Sequence, residues 1–376
     1  MQPKAARNIP IEALRLVAVA GIAVFHTFQW TFQATCVGAV EYVPLAMFPY
    51  SGVLGFINLL GCWANEVFFM ISSYFLIASA ARAWSDGATW TSQIQRTTQR
   101  LGKVILPTAF YCLVALAWST VVSPIPDVTL NTHYWYTLGL EFIWVYAATV
   151  FMTPWFGLAK SRLSQKSYTT TVIAVGILAF VVNGYLAAMS ATSGGEFSWL
   201  QKLMSAVTYV IAFLIGGLLR DVTDAMDSDR AGALGMRSLV TVLALATILE
   251  GALSYTGNLT AMAVLSYKST SLISFALAAA SLLFAATRRS APGNPRTAGV
   301  IVTLSTATLG FYVMQSLTSS LWRPVFNTLL ANILVSQNSP AAICIVTGTV
   351  ISIVFALALL IIDAARSLIA RKLKWQ

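Results

Sequence analysis

The chain has 376 residues, of which 57% are hydrophobic and only 10% are charged. Soluble domains carry about 25% charged residues, so this composition excludes a soluble globular protein and indicates a chain embedded in lipid. The net charge of +10 would suit a nucleic-acid-binding protein, but the positions of the basic residues, described below, account for it without one.

A bilayer-spanning helix needs about 20 mostly apolar residues, and ten segments of the chain are of this kind. In chain order they are 10–32, 58–81, 102–122, 136–157, 170–190, 203–219, 238–255, 268–286, 299–320 and 341–362. The longest stretches between them are 33–57, 82–101, 220–237 and 321–340, and none could bury a core of its own. The sequence therefore predicts an all-α integral membrane protein, a single domain over residues 1–376 built as a bundle of about ten transmembrane helices.

The basic residues follow the positive-inside rule. If the N-terminus is cytoplasmic and the segments alternate, most Lys and Arg fall in the termini and in the cytoplasmic loops around Arg96, Arg162, Arg230 and Arg289. The exceptions are Lys202, Lys268, Arg323 and, within the first segment, Arg15. Both termini are therefore predicted to be cytoplasmic, in a multi-pass protein of the plasma (inner cytoplasmic) membrane. The first segment is expected to be a retained helix, because its apolar region is too long for a signal peptide.

Three ionisable residues lie along one side of the first predicted helix. Glu12 and Arg15 are three residues apart and share a face. His26 follows eleven residues after Arg15, which is three turns and about 16 Å along the axis. Taken singly, the arginine would be expected to extend to the headgroups and the histidine to be a neutral core residue. An acid, an arginine and a histidine in one stripe favour a function, because intramembrane ionisable groups usually face a cavity and imidazole suits general base work.

Two further stretches combine polar residues with membrane segments. NEVFFMISSYFLI, residues 65–77, places Glu66 at the start of an aromatic, serine-containing stretch; the plainer interpretation is a helix cap followed by packing aromatics. RTTQRLGKVILPTAF carries Arg96, Arg100 and Lys103 at helical spacing before Pro107. Ordinary positive-inside charge explains these three residues, and the functional interpretation is a cationic mouth for a phosphate-bearing ligand.

The four cysteines indicate no metal site, because none has the spacing of a ligand cluster. Cys36 and Cys62 both map to the predicted outer side, where a disulfide is possible, but the sequence carries no geometry that would pair them. Cys112 and Cys344 are expected to be packing residues.

These motifs together resemble the integral-membrane acyltransferases called acyltransferase family 3. The first helix of that family resembles Glu12, Arg15 and His26, with Asp usual where this chain has Glu12. EVFFMISSYF is similar to its second-helix pattern, with Ser73 in place of the usual Gly, and RLGKVILP is similar to its basic run before Pro. HYWYTLGLEFIWVYAATVFMTPWF, FLIGGLLR and LSTATLGFYVMQSL resemble later motifs, the last with Gln315 where His is usual. The likeness covers nearly the whole chain and resembles the form without a soluble esterase-like domain.

The resemblance implies an O-acyltransferase that moves an acyl group, commonly acetyl, from cytoplasmic acyl-CoA to a hydroxyl of a cell-surface or exported carbohydrate. His26 would be the general base or transient acyl carrier, Glu12 would orient Arg15, and Glu66 would orient His26 or contact the acceptor. Acyl-CoA is the expected co-substrate, without a metal, and Arg15 and the basic residues Arg96, Arg100 and Lys103 would bind its phosphates. The residues expected on the acceptor side are His133, Trp135, Ser72, Tyr74, Tyr312 and Gln315.

Two other classes remain open. A polytopic transporter or flippase of a glycan intermediate would also have several buried ionisable groups, although no internal repeat or pair of interrupted helices is visible. A relative that binds a glycan without catalysis is the third possibility, because Ser73 and Gln315 depart from the usual pattern. All three classes of protein would contact the lipid bilayer and a carbohydrate, and nucleic acid is not an expected partner of any of them.

Overall fold

The computed structural model describes residues 7–132, 134–192, 198–266, 270–288, 294–336 and 340–372. Every regular element within these ranges is helical, which confirms the all-α prediction. The α-helices are α1 (Ile9–Cys36), α2 (Val43–Ala46), α3 (Tyr50–Ser85), α4 (Trp90–Val121), α5 (Glu141–Phe151), α6 (Thr153–Arg162), α7 (Gln165–Thr192), α8 (Ser198–Ala225), α9 (Ser228–Tyr255), α10 (Leu259–Leu265), α11 (Leu272–Thr287), α12 (Pro295–Ser305), α13 (Thr308–Leu317), α14 (Ser319–Ser336) and α15 (Pro340–Lys372).

Each of the ten predicted segments corresponds to a helix or a helix pair. Among the described residues, seven helices are long and apolar enough to cross a bilayer, and the number rises to nine if two bent pairs each count as one span. The pairs are α5 with α6 and α12 with α13, each bent by 42°. The remaining segment is α11, whose 16 residues fall short of the roughly 20 that a straight crossing takes.

The helices extend well beyond the apolar segments, so the loops are shorter than expected. α3 begins at Tyr50 rather than near residue 58, and only Asp86–Thr89 separate α3 from α4. The Thr89 side chain accepts a hydrogen bond from the amide of Ser92, which caps the start of α4. The predicted outer loop 321–340 is also largely helical, because α14 continues to Ser336.

α3 lies at the centre of the bundle and packs against α1, α6, α8, α9 and α11. Its contact with α8 is close because Gly216 presents no side chain. A Cβ at Gly216 would overlap the Ser73 hydroxyl and the Met70 carbonyl oxygen. Ser73 is fully buried and donates a hydrogen bond to the Met70 carbonyl at 3.0 Å. The small residue that permits the close approach of α3 and α8 is therefore Gly216 on α8.

The start of α1 and the start of α3 lie at opposite ends of the bundle. At the latter end, the Ser51 and Ser254 hydroxyls are 2.7 Å apart and join α3 to α9. The Cys36 thiol, at the end of α1, lies 3.9 Å from the Leu259 carbonyl oxygen. All four cysteines are free, so Cys36 and Cys62 do not form the disulfide that their predicted positions allowed.

Candidate functional site

A polar cavity of about 640 Å³ lies at the end of the bundle where α1 begins. It is formed by the first turns of α1, the later part of α3 and the end of α8, and we call it the arginine cavity. Its lining consists of Arg7, Asn8, Glu12, Arg15, Tyr74, Phe75, Arg220, Thr223, Asp224 and Ala286. Because three arginines face two acids there, the cavity is suited to an anion.

Two of the three guanidinium groups of the arginine cavity, those of Arg15 and Arg220, are held by neighbouring side chains. Arg15 Nη1 donates to Glu12 Oε2 at 3.0 Å, as the spacing of three residues predicted. Arg220 Nε donates to Asp224 Oδ2 at 2.7 Å, and the Arg220 guanidinium lies 5.1 Å from the centroid of the Tyr74 ring. Both arginines are therefore oriented before any ligand enters, which lowers the entropic cost of binding one.

The three basic residues of α4 are placed differently from the expectation. Arg96 and Lys103 are exposed, Arg100 is partly buried, and none of them lines the arginine cavity. Arg7 and Arg220 accompany Arg15 instead. Arg220 ends the FLIGGLLR motif, but the expected phosphate ligands were Arg15 and the three basic residues of α4. Nothing in the local sequence indicates that the end of α8 meets the start of α1.

His26 forms a hydrogen bond with a residue 289 positions away in the chain. His26 Nδ1 lies 3.1 Å from Gln315 Oε1. An amide oxygen only accepts hydrogen bonds, so Nδ1 carries the proton and, in the neutral ring, Nε2 keeps its lone pair. Gln315 is buried, and its backbone carbonyl accepts a hydrogen bond from Trp322 Nε1 at 3.0 Å. The residue that departs from the usual histidine thus orients His26.

A smaller cavity of about 130 Å³ lies one turn from this pair. Ile22 precedes His26 by four residues and Tyr312 precedes Gln315 by three, and both line the cavity together with Phe142 and Tyr146. The Tyr312 and Phe142 rings are 4.6 Å apart between centroids. Its walls are apolar and aromatic, so we call it the aromatic cavity.

Two further expected site residues, Ser72 and Tyr74, are held by hydrogen bonds between side chains of different helices. The Ser72 hydroxyl donates to the Phe68 carbonyl and accepts from the Tyr146 hydroxyl, each at 2.8 Å. The Tyr74 hydroxyl lies 2.7 Å from the Thr223 hydroxyl, and Tyr74 lines the arginine cavity. Tyr74 therefore belongs to the same site as Arg15, whereas it was expected on the acceptor side.

The other expected residues do not join His26. Glu66 is fully buried, and within the described part of the chain neither of its carboxylate oxygens has a hydrogen-bond partner, so it does not orient His26 directly. Trp135 begins a short 3-10 helix (Trp135–Thr137) before α5 and packs against the core. His133 lies outside the described residues.

The fold and these sites define a class: an integral membrane protein with an anion-suited cavity at one end and an oriented histidine in its interior. The family model described as an acyltransferase domain matches residues 8–359, and the chain therefore belongs to acyltransferase family 3. The match contains His26, Gln315 and every residue of the arginine cavity except Arg7, and it confirms the predicted family. No curated protein and no solved structure gives a significant match to the chain. The protein is thus a multi-pass membrane acyltransferase.

Proposed function

We propose that this acyltransferase transfers an acetyl or related acyl group from cytoplasmic acyl-CoA to a hydroxyl group of a cell-surface or exported carbohydrate, in the plasma membrane. Family membership supports acyl transfer in general. The proposal that His26 takes part in the transfer depends on the His26–Gln315 hydrogen bond, which leaves the other imidazole nitrogen available as a base.

The arginine cavity is the proposed site for the nucleotide part of the donor. Arginine binds phosphate oxygens through two parallel hydrogen bonds, and Arg7, Arg15 and Arg220 line one cavity. Glu12 and Asp224 each bind one of these guanidiniums, which limits repulsion among the arginines while the site is empty. The predicted cytoplasmic position of the start of α1 places this cavity on the side where acyl-CoA is found.

The thioester would reach His26 along α1. Arg15 and His26 are eleven residues apart, or about 16 Å along the axis, and CoA carries its thioester at the end of a long pantetheine arm. The aromatic cavity lies one turn short of His26 and has walls of Ile22, Phe142 and Tyr312 that suit an apolar chain. We assign this cavity to the arm and the acyl group.

His26 would act as the general base. Its Nε2 accepts the proton of the acceptor hydroxyl while that oxygen attacks the thioester carbonyl. The new carbon–oxygen bond forms, the carbon–sulfur bond breaks, and the proton passes from His26 to the departing thiolate. A transient acyl group on Nε2 is the covalent variant of the same chemistry, in which His26 first receives the acyl group from the thioester.

The acceptor would approach from the end of the bundle opposite the arginine cavity. Trp135 and His133 remain the proposed acceptor-side residues, since tryptophan rings can pack on sugar faces, whereas Tyr312 lines the aromatic cavity and is assigned to the donor. Ser72 has its hydroxyl bound to Phe68 and Tyr146, so its proposed role is to position the wall of the aromatic cavity.

The test is label transfer by the purified protein in lipid nanodiscs. Acetyl-CoA labelled in the acetyl group is incubated with a panel of glycans and with wild type, His26→Ala or Gln33→Ala. Gln33 is an exposed residue of the same helix and serves as the matched control. We expect label on a glycan with wild type and Gln33→Ala but not with folded His26→Ala. Transfer that survives His26→Ala contradicts the mechanism, and acyl-CoA-independent glycan transport would support the transporter reading.

A further inference from the structure

Phe75 is an aromatic residue in a cavity whose other walls are mostly polar. Among the described residues that line the arginine cavity, only Phe75 and Ala286 have side chains without a polar group. Phosphate groups would account for the arginines of this cavity, but they give no reason for an apolar ring beside them. The nucleotide part of CoA has a second component, the adenine base, whose flat faces stack on aromatic rings.

The exposed part of the Phe75 ring faces the arginine cavity. α3 lies at the centre of the bundle, and Ile71 and Ala78, about one turn before and after Phe75, are only 0% and 9% exposed. Phe75 is 41% exposed on the same side of the helix. Because other helices cover this side of α3 and Phe75 lines the cavity, the cavity is the opening that exposes the ring.

The ring of Phe75 is supported by a neighbour that is itself held in place. Tyr74 and Phe75 lie edge to face, with 5.1 Å between ring centroids and 79° between the ring planes. Tyr74 is fixed to α8, because its hydroxyl lies 2.7 Å from that of Thr223 and the Arg220 guanidinium lies 5.1 Å from its ring centroid. A guanidinium for a phosphate and a ring for a base are therefore arranged around one tyrosine.

We propose that Phe75 stacks on the adenine of acyl-CoA and thereby selects free acyl-CoA over acyl donors that lack the nucleotide. This inference rests on the donor site of the proposed function. The competing donor class is a thioester of phosphopantetheine on a carrier protein, which has the same arm and thioester but no adenine. Stacking of one base on an aromatic side chain changes affinity about 5- to 150-fold, so the ring is sufficient for this selection.

The test is equilibrium binding to the full chain in lipid nanodiscs, which requires no turnover. The ligands are CoA, phosphopantetheine, adenosine 3′,5′-bisphosphate and pyrophosphate, which has phosphate groups without a base. The proteins are wild type, Phe75→Leu and Phe75→Trp. Leucine removes the aromatic face and keeps an apolar side chain, whereas tryptophan keeps an aromatic face.

Phe110→Leu is the matched control. Phe110 is 45% exposed and lies edge to face with Tyr111 at 5.3 Å between centroids, much as Phe75 does with Tyr74. Phe110 does not line the arginine cavity. A general effect of removing an exposed ring would therefore appear in both leucine variants, and an effect on the nucleotide site only in Phe75→Leu.

We expect wild type and Phe110→Leu to bind CoA about tenfold or more tightly than phosphopantetheine. Phe75→Leu should bind CoA and adenosine 3′,5′-bisphosphate about 5- to 150-fold more weakly than wild type, with its affinity for pyrophosphate unchanged. Phe75→Trp should bind both nucleotides at least as tightly as wild type.

Equal affinity of wild type for CoA and phosphopantetheine overturns the proposal, and this comparison does not depend on the folding of a variant. Unchanged nucleotide binding by folded Phe75→Leu, or a loss that extends equally to pyrophosphate, also overturns it. Acyl transfer by the same proteins separates this inference from the proposed function. Binding of CoA that depends on Phe75, without transfer to any glycan, supports the stacking and contradicts the proposed transfer. Transfer by wild type, with nucleotide binding independent of Phe75, contradicts the stacking alone.

Discussion

The hydrogen bond between His26 and Gln315 can be removed with little change in side-chain volume by Gln315→Met. The bond is 3.1 Å long and Gln315 is 1% exposed, so no bulk water replaces the lost acceptor. Leaving a buried donor without its partner costs about 1–3 kcal/mol. If that cost falls on the transition state, the rate drops roughly 5- to 150-fold, at about 1.4 kcal/mol for each factor of ten.

Gln315→Glu is the matched variant, because a carboxylate accepts the same bond. It also removes a buried donor, Gln315 Nε2, which has no partner in the described part of the chain. A carboxylate beside the ring also favours the imidazolium that forms when His26 takes up a proton. We therefore expect Gln315→Glu to keep kcat within about threefold of wild type or to raise it.

The assay is steady-state acyl transfer in nanodiscs, with kcat and the acyl-CoA KM measured for wild type and both variants. The loss in Gln315→Met should appear in kcat, with KM for acyl-CoA nearly unchanged, because the charged contacts proposed to bind the phosphates of acyl-CoA come from the arginine cavity, which Gln315 does not line. Full kcat in a folded Gln315→Met protein refutes the reasoning. A Gln315→Glu protein as slow as Gln315→Met also refutes it, because the hydrogen-bond acceptor for His26 Nδ1 would then not determine the rate.

Three further predictions concern other parts of the bundle. Gly216→Ala should destabilise the protein by about 1–3 kcal/mol, because the added Cβ overlaps α3. Its control is Gly184→Ala, whose Cβ has open space around it and which should leave the thermal midpoint unchanged or slightly higher. Arg220→Gln should raise the acyl-CoA KM about tenfold or more with little effect on kcat, whereas Arg230→Gln, whose side chain is 82% exposed, should not. Glu66→Met should raise the thermal midpoint by removing an unpartnered buried acid, and lower acyl transfer if the acid is retained for function.

Each of these predictions has a result that contradicts it. Equal midpoints for Gly216→Ala and Gly184→Ala would mean that α3 and α8 are not in close contact. An unchanged KM for Arg220→Gln would remove the arginine cavity from donor binding. A lower midpoint for Glu66→Met would show that this carboxylate makes a stabilising interaction in the membrane.

The ionisable residues Glu12, Arg15 and His26 on α1 show which contacts can be predicted from spacing within one helix. Glu12 and Arg15 are three residues apart on one helix, so their contact at 3.0 Å follows from helix geometry alone. The partner of His26 could not be found in this way, because Gln315 lies on α13 and 289 residues later. The resemblance to a family singled out Gln315 as a departure from the pattern, and the structure explains what the departure does.

The basic residues illustrate the opposite case. Arg96, Arg100 and Lys103 have helical spacing and precede a proline, which made them candidates for a phosphate site. Their spacing says only that they are close on α4; it does not say which way α4 is rotated. In the structure they do not line the arginine cavity, and Arg220 from α8 does.

The sequence by itself determined the class of the protein and the approximate positions of its helices. A bilayer core cannot satisfy free backbone groups, so apolar segments of sufficient length must be helical, and each predicted segment is helical here. Only the tertiary structure decided which helices meet, where α3 takes the centre and which polar residues share a cavity. The physical reason is that lipid is as apolar as the helix surfaces, so hydropathy does not distinguish a lipid-facing side from an inward one. Close packing, as at Gly216 and Ser73, and polar contacts between helices, as at His26 and Gln315, make that choice.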